Sequence, residues 1–116
     1  VEEWAQKYRS VEIIDPRLGL EGELKLISNM EVMLAMDSSN MHLASITATP
    51  VVSVWGATHP AAGFMGWGQN PDNCIQLDLP CRPCSIYGKK ECIYSDYRCL
   101  TGIDPDKVMA KVKTYL

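Results

Sequence analysis

The stretch "VMLAMDSSNMHLASITATPVVSVWG", residues 32–56, decides the fold. Residues 32–36 form an unbroken apolar run, the pattern of a strand covered on both faces. Residues 40–48 suit a short helix that must stop before Pro50, because proline disfavours helical geometry in the residue ahead of it. Residues 51–55, "VVSVW", form a second apolar run closed by Gly56. A strand, a helix and a strand with short links imply parallel pairing and a right-handed crossover.

Working outward, "VEII" at 11–14 reads as an earlier strand ended by Asp15-Pro16, and "LEGELKLISNM" as a helix with Leu20, Leu24 and Ile27 on one face. The chain opens on "VEEWAQKYRS" without a Met, like the second half of a helix, and is expected to be a piece of a longer protein. Residues 57–73, rich in Gly, Pro and aromatics, read as a long ordered loop in which Phe64, Met65 and Trp67 seek burial. "CIQLDL" reads as one more short strand. "DPDKVMAKVKTYL" is a helix with Asp104 as N-cap, Pro105 in the first position and a buried stripe of Val108, Val112, Tyr115 and Leu116. The class is α/β: a Rossmann-like parallel sheet flanked by helices, one domain over residues 1–116.

Composition narrows the function. The 47% apolar and 22% charged fractions are those of an ordinary globule, and the formal charge of −3 with no basic stripe disfavours nucleic acid as partner. No run approaches the roughly 18 apolar residues of a membrane span. All five cysteines lie between Cys74 and Cys99, and this odd number fits a reducing cytoplasm better than a disulfide scaffold.

In open parallel sheets ligands sit outside the carboxyl ends of strands. "DSSNMH" occupies such a place. The first turn of the following helix offers free N–H donors and the positive end of the helix dipole, a ready phosphate site. Ser38 and Ser39 can add hydroxyl donors and His42 an imidazole N–H. Asp37 suits a ribose hydroxyl or a backbone N–H. The same residues are also the commonest helix caps. Cap and anion site both remain open at this level.

In "CRPCSIYGKKECIYSDYRC", Cys81, Cys84, Cys92 and Cys99 are spaced C-x2-C-x7-C-x6-C within a loop at 81–99. Free thiols packing the loop, a four-thiolate structural zinc site offset by Lys89, Lys90 and Arg98, and disulfides compete as readings. A thioredoxin-like redox pair is disfavoured, since no helix pattern starts at Cys81. Cys74 is expected in the core. Trp55, Phe64 and Trp67 are expected as core or loop anchors, although "THPAAGFMGWG" follows a strand end on the rim of Asp37 and can form part of a sugar pocket.

The order of motifs "DSSNMHLA", "TPVVSVWG" and "ATHP", followed by Cys-x-Pro-Cys, a further Cys, "CL" and a Pro-bearing last helix, resembles glycosyltransferase family 9, the lipopolysaccharide heptosyltransferases. The resemblance covers nearly the whole chain. It implies the C-terminal, donor-binding half of a two-domain B-type glycosyltransferase that moves a heptose from ADP-heptose to a lipid-linked saccharide, in the cytoplasm at the inner face of the inner membrane. Carried across, Asp37, Ser38, Ser39, Asn40 and His42 lie at the diphosphate and ribose, with His42 a stabiliser of the leaving group. Leu18 lies near the adenine, and Gly56 and Thr58 line the cleft. The catalytic base belongs to the missing N-terminal domain, and no catalytic metal is implied. Ser39 stands where the family has Gly, and His59 where it has Asp. The rivals are a non-catalytic nucleotide-binding module and a zinc-stabilised interaction domain.

Overall fold

The computed structural model describes residues 1–116. Its centre is the expected crossover. Strand β1, Met33–Met36, leads into helix α3, Ser39–Ile46, and then into strand β2, Val51–Val54. A third strand, β3, Cys74–Ile75, completes a sheet of order β1-β2-β3, parallel throughout, with Met33 opposite Val51 and Ser53 opposite Cys74. The other helices are α1, Glu2–Lys7; α2, Gly19–Ile27; α4, Arg98–Thr101; and α5, Pro105–Val112.

The main core cluster lies on one face of the sheet, while Val52, Cys99 and Val108 are buried outside it. Ile27 from α2, Met41 and Ala44 from α3, Val51 and Trp55 are buried together, with Met33, Ala35, Phe64, Met65 and Cys74 packed against them. Trp55 is wholly buried, as expected of an anchor, and its indole N–H donates to Ser53 Oγ at 2.8 Å. That bond satisfies a donor which burial would otherwise leave at a cost of 1–3 kcal/mol, in order of magnitude. Gln69 fastens the long loop to the sheet. Its Oε1 accepts the Val51 N–H at 2.8 Å and its Nε2 donates to the Thr49 carbonyl at 3.0 Å.

Several expectations fail for physical reasons. Residues 11–14 form no strand, because no strand of the sheet lies alongside to share a hydrogen-bond ladder, and Ile13 and Ile14 stand half exposed. β1 is not covered on both faces. Met33 and Ala35 point to the core, while Leu34 and Met36 border an open apolar hollow with Val54, Ile103 and Val108. "CIQLDL" pairs only over Cys74–Ile75. Along the last helix, Val108 is buried but Leu116 is 80% exposed. The helix tightens into a 3-10 turn at Lys113–Tyr115, whose three-residue period rotates Leu116 off the stripe. Tyr115 stays inward because its hydroxyl accepts from Asn73 Nδ2 at 2.6 Å. Trp67 stands 87% exposed, while Phe64 and Met65 of the same loop pack against the core.

Candidate functional site

All three strands point their carboxyl ends to one rim, where the segments after β1, β2 and β3 meet. Helix α3 begins there with Ser38 in extended geometry as N-cap, and no side chain bonds its first amides. The first helical backbone bond within that turn is a long one, from Met41 N–H to the Ser38 carbonyl at 3.2 Å. Ser39, Asn40 and His42 are exposed, while Asp37 and Ser38 are half buried. The tip is therefore open to solvent, with uncapped amides and the dipole end facing out.

A cavity of about 240 Å3 reaches this tip at Asp37 and brings together Asp37, Gly56 and Thr58, three of the residues expected at the donor, while Ser38, Ser39, Asn40 and His42 do not line it. Gly56 is required here by packing. A Cβ would stand 2.8 Å from the Leu100 side chain, which closes the floor. Asn40 borders a different cavity, of about 200 Å3, shared with Ile14, Asp15 and Pro16. Leu18 is not brought to Asp37. It packs over Gly22, one turn into α2, where any side chain would collide with it.

The two departures from the family pattern have local accounts. Ser39 adopts ordinary helical geometry, so this position makes no demand for a glycine φ. His59 acts as the cap of the following 3-10 turn, Pro60–Ala62, its Nδ1 accepting the Ala61 N–H at 3.0 Å. This is the bond an Asp carboxylate would make there, and it leaves the His59 Nε2–H directed elsewhere.

Sequence reasoning missed the contribution of the cysteine loop. Tyr87, Lys90 and Tyr97 fold back to line the Asp37 cavity. Asp37 and Lys90 face this space unpaired, the salt bridges of the chain being Arg17–Asp15, Lys25–Glu21 and Arg98–Asp96. What folds the loop back is Arg82. Its guanidinium donates to the carbonyls of Gly56, Leu77 and Thr58 and to Gln76 Oε1. The Cys84 and Ser85 N–H groups both donate to the Ala57 carbonyl, at 3.1 and 3.3 Å. The rule that loops after parallel strands share one rim was the available signal.

The cysteines are not gathered as a ligand set. All five are free thiols, and no three His, Cys, Asp or Glu side chains converge within metal-binding reach. Two of the thiols differ sharply instead. Backbone N–H groups, Tyr94 foremost and then Tyr97, Asp96 and Ser95, point at Cys92 and hold its thiol below the ordinary pKa. Left-handed φ values at Ser95 and Tyr97 curl the chain around the sulfur. Burial pushes the Cys99 thiol up.

The sequence profile of glycosyltransferase family 9 (heptosyltransferase) matches residues 1–97. The chain belongs to glycosyltransferase family 9. Among curated family members it is 29% identical over 115 residues to lipopolysaccharide heptosyltransferase 1 of Pseudomonas aeruginosa, covering 87% of this chain and 31% of that protein. It is 27% identical over 90 residues to lipooligosaccharide heptosyltransferase 2 of Campylobacter jejuni serotype O:2, covering 78% and 27% respectively. The chain thus spans about a third of the length of these relatives. No solved structure matches it. No helix is long and apolar enough to cross a membrane. As a family member, the chain has the α/β sheet and the open rim at the place where its "DSSNMH" motif falls.

Proposed function

We propose that this chain is the donor-binding part of a glycosyltransferase that passes a heptose-like sugar from ADP-heptose to a lipopolysaccharide-core acceptor. The observation that carries this reading is the uncapped tip of α3, open beside a cavity shared by Asp37, Thr58 and Lys90. Free amides at a helix N-terminus take an anion without rearrangement.

In this reading the diphosphate sits over the Ser39 and Asn40 amides, with the Ser38 and Ser39 hydroxyls and His42 as side-chain donors. Asp37 holds a ribose hydroxyl, and Lys90 reaches the phosphates across the cavity. An acceptor hydroxyl attacks the anomeric carbon of the donor sugar. The bond to the diphosphate breaks, and its electron pair leaves with ADP. Negative charge grows on the leaving oxygen, and fixed donors aimed at that charge lower the barrier. The proton of the attacking hydroxyl passes to a base in the N-terminal domain of the full-length protein. That protein works at the inner face of the inner membrane, where the lipid-linked acceptor resides.

Calorimetric titration tests the reading. ADP and ADP-heptose are expected to bind the chain at one site, in competition with inorganic pyrophosphate. Absence of binding heat at millimolar ADP would contradict it. Transfer itself is read in the full-length protein as ADP release that depends on the acceptor.

A further inference from the structure

A second hollow, of about 280 Å3, lies on the same rim at the ends of β2 and β3, bordered by His59, Gln76, Asp78 and Arg82. It adjoins the Asp37 cavity by one step of the chain, since Thr58 lines the first and His59 the second.

The free hydrogen-bonding capacity of each group is fixed by the bonds already made. His59 Nδ1 accepts the Ala61 N–H, so the ring proton resides on Nε2 and that nitrogen is a donor. Gln76 Oε1 is held by Arg82 Nη2 at 3.1 Å, which leaves the Gln76 amide hydrogens free to donate. Asp78 is exposed and forms no salt bridge, so its carboxylate remains an acceptor. Arg82 is a scaffold here. Four bonds to neutral acceptors occupy its guanidinium, which has five N–H groups in all. Its charge thus props up the wall and leaves little to offer a ligand.

Two donors and a carboxylate acceptor around a polar hollow suit hydroxyl groups, each of which both donates and accepts. The charges of Arg82 and Asp78 offset one another, so the lining has no net positive charge to draw a phosphate, and an apolar group would strand all three partners without bonds. We infer that this hollow is a subsite for a hydroxyl-rich sugar ring, with His59 and Asp78 as the residues that read its hydroxyls. The inference rests on the transferase reading above, and the ring belongs either to the donor sugar or to the acceptor saccharide. The His59 departure then has a use. It keeps the turn cap that an Asp would supply and adds an outward N–H.

The test is an amide-resolved NMR titration of the 116-residue chain and of two variants. Asp78→Asn removes the charge at an exposed site. His59→Asn keeps an acceptor for the Ala61 N–H but deletes the outward donor. The probes are ADP, ADP-heptose and a lipid-free core oligosaccharide. If the donor sugar occupies the hollow, ADP-heptose binds about tenfold tighter than ADP, and both variants erase that advantage while ADP affinity stays unchanged. If the acceptor occupies it, the two nucleotides bind alike. The oligosaccharide then moves the His59, Gln76 and Asp78 amides, with affinity about tenfold lower in each variant. The inference is overturned if neither sugar ligand moves those amides, or if both variants respond as the native chain does. Failure of the donor reading is a separate result: ADP leaving the Ser39 and Asn40 amides unmoved, whatever the oligosaccharide does at His59.

Discussion

Helices α3 and α5 are each eight residues long and each follows a residue suited to capping, yet their N-termini are built differently. At α5, Asp104 accepts the Asp106 N–H at 2.9 Å and closes the end. At α3, Ser38 makes no such bond. The 3-10 turns after Asp15, His59 and Asn70 are capped like α5. Local chemistry that could close α3 is present and unused. Helices α1, α2 and α4 likewise lack a side-chain cap, and what sets α3 apart from them is that its open end follows β1 at the carboxyl rim of the sheet. It leaves free amide donors at the rim where the diphosphate is proposed to sit.

This contrast can be broken most decisively at Ser38. Ser38→Asp supplies the missing cap together with a negative charge, and is expected to hold or raise the thermal midpoint while ADP affinity falls roughly 30-fold or more. Calorimetry and thermal melts on one sample check both halves. Unchanged ADP affinity would make α3 an ordinary helix start. The amides around Cys92 provide a third case, in which the chain's own sulfur takes the donors. At neutral pH, iodoacetamide is expected to label Cys92 at least about tenfold faster than Cys99, read by peptide mass spectrometry, because the thiolate is the reactive form.

His42→Ala should weaken ADP by about tenfold, the lower end of the effect of one hydrogen bond to a charged group, with little change in melting. Asp104→Ala sharpens the other side of the comparison. It should cost about 1 kcal/mol, or about 5 °C in midpoint, and leave ADP binding intact. The smallest effect concerns pH. The lowered Cys92 pKa means that its thiolate favours the folded chain, a contribution present above the unfolded thiol value near about 8.5 and lost as pH falls through the folded one. Cys99, raised by burial, contributes in the opposite sense, below the unfolded value, and loses that contribution as pH rises. Cys92→Ser should therefore lower the urea midpoint, relative to the native chain, more at pH 9.5 than at pH 7.

Signals confined to a few neighbouring residues were legible in the sequence. Leu24 and Ile27 at helical spacing, Pro50 after α3, and Asp104-Pro105 before α5 each fix structure locally, and those elements stand where expected. Asp37, Gly56 and Thr58, which the family resemblance put at one cleft, line one cavity. The failures depend on distant partners. Val11–Ile14 is spelled as a strand but needs a neighbour to pair with. Leu34 and Met36 are apolar whether or not anything covers them. Arg82 organises the cysteine loop through backbone carbonyls, which leave no mark in a sequence. A free Ser38 and a capping Ser38 are written identically, so the open helix tip was visible only in three dimensions.

The most direct test of that open tip compares ADP with adenosine in amide-resolved spectra of the chain. ADP, but not adenosine, is expected to shift the Ser39 and Asn40 amides strongly while the capped Asp106 amide stays still. Equal shifts from both ligands, or none at Ser39 and Asn40 under saturating ADP, would contradict the claim that α3 is held open for a diphosphate.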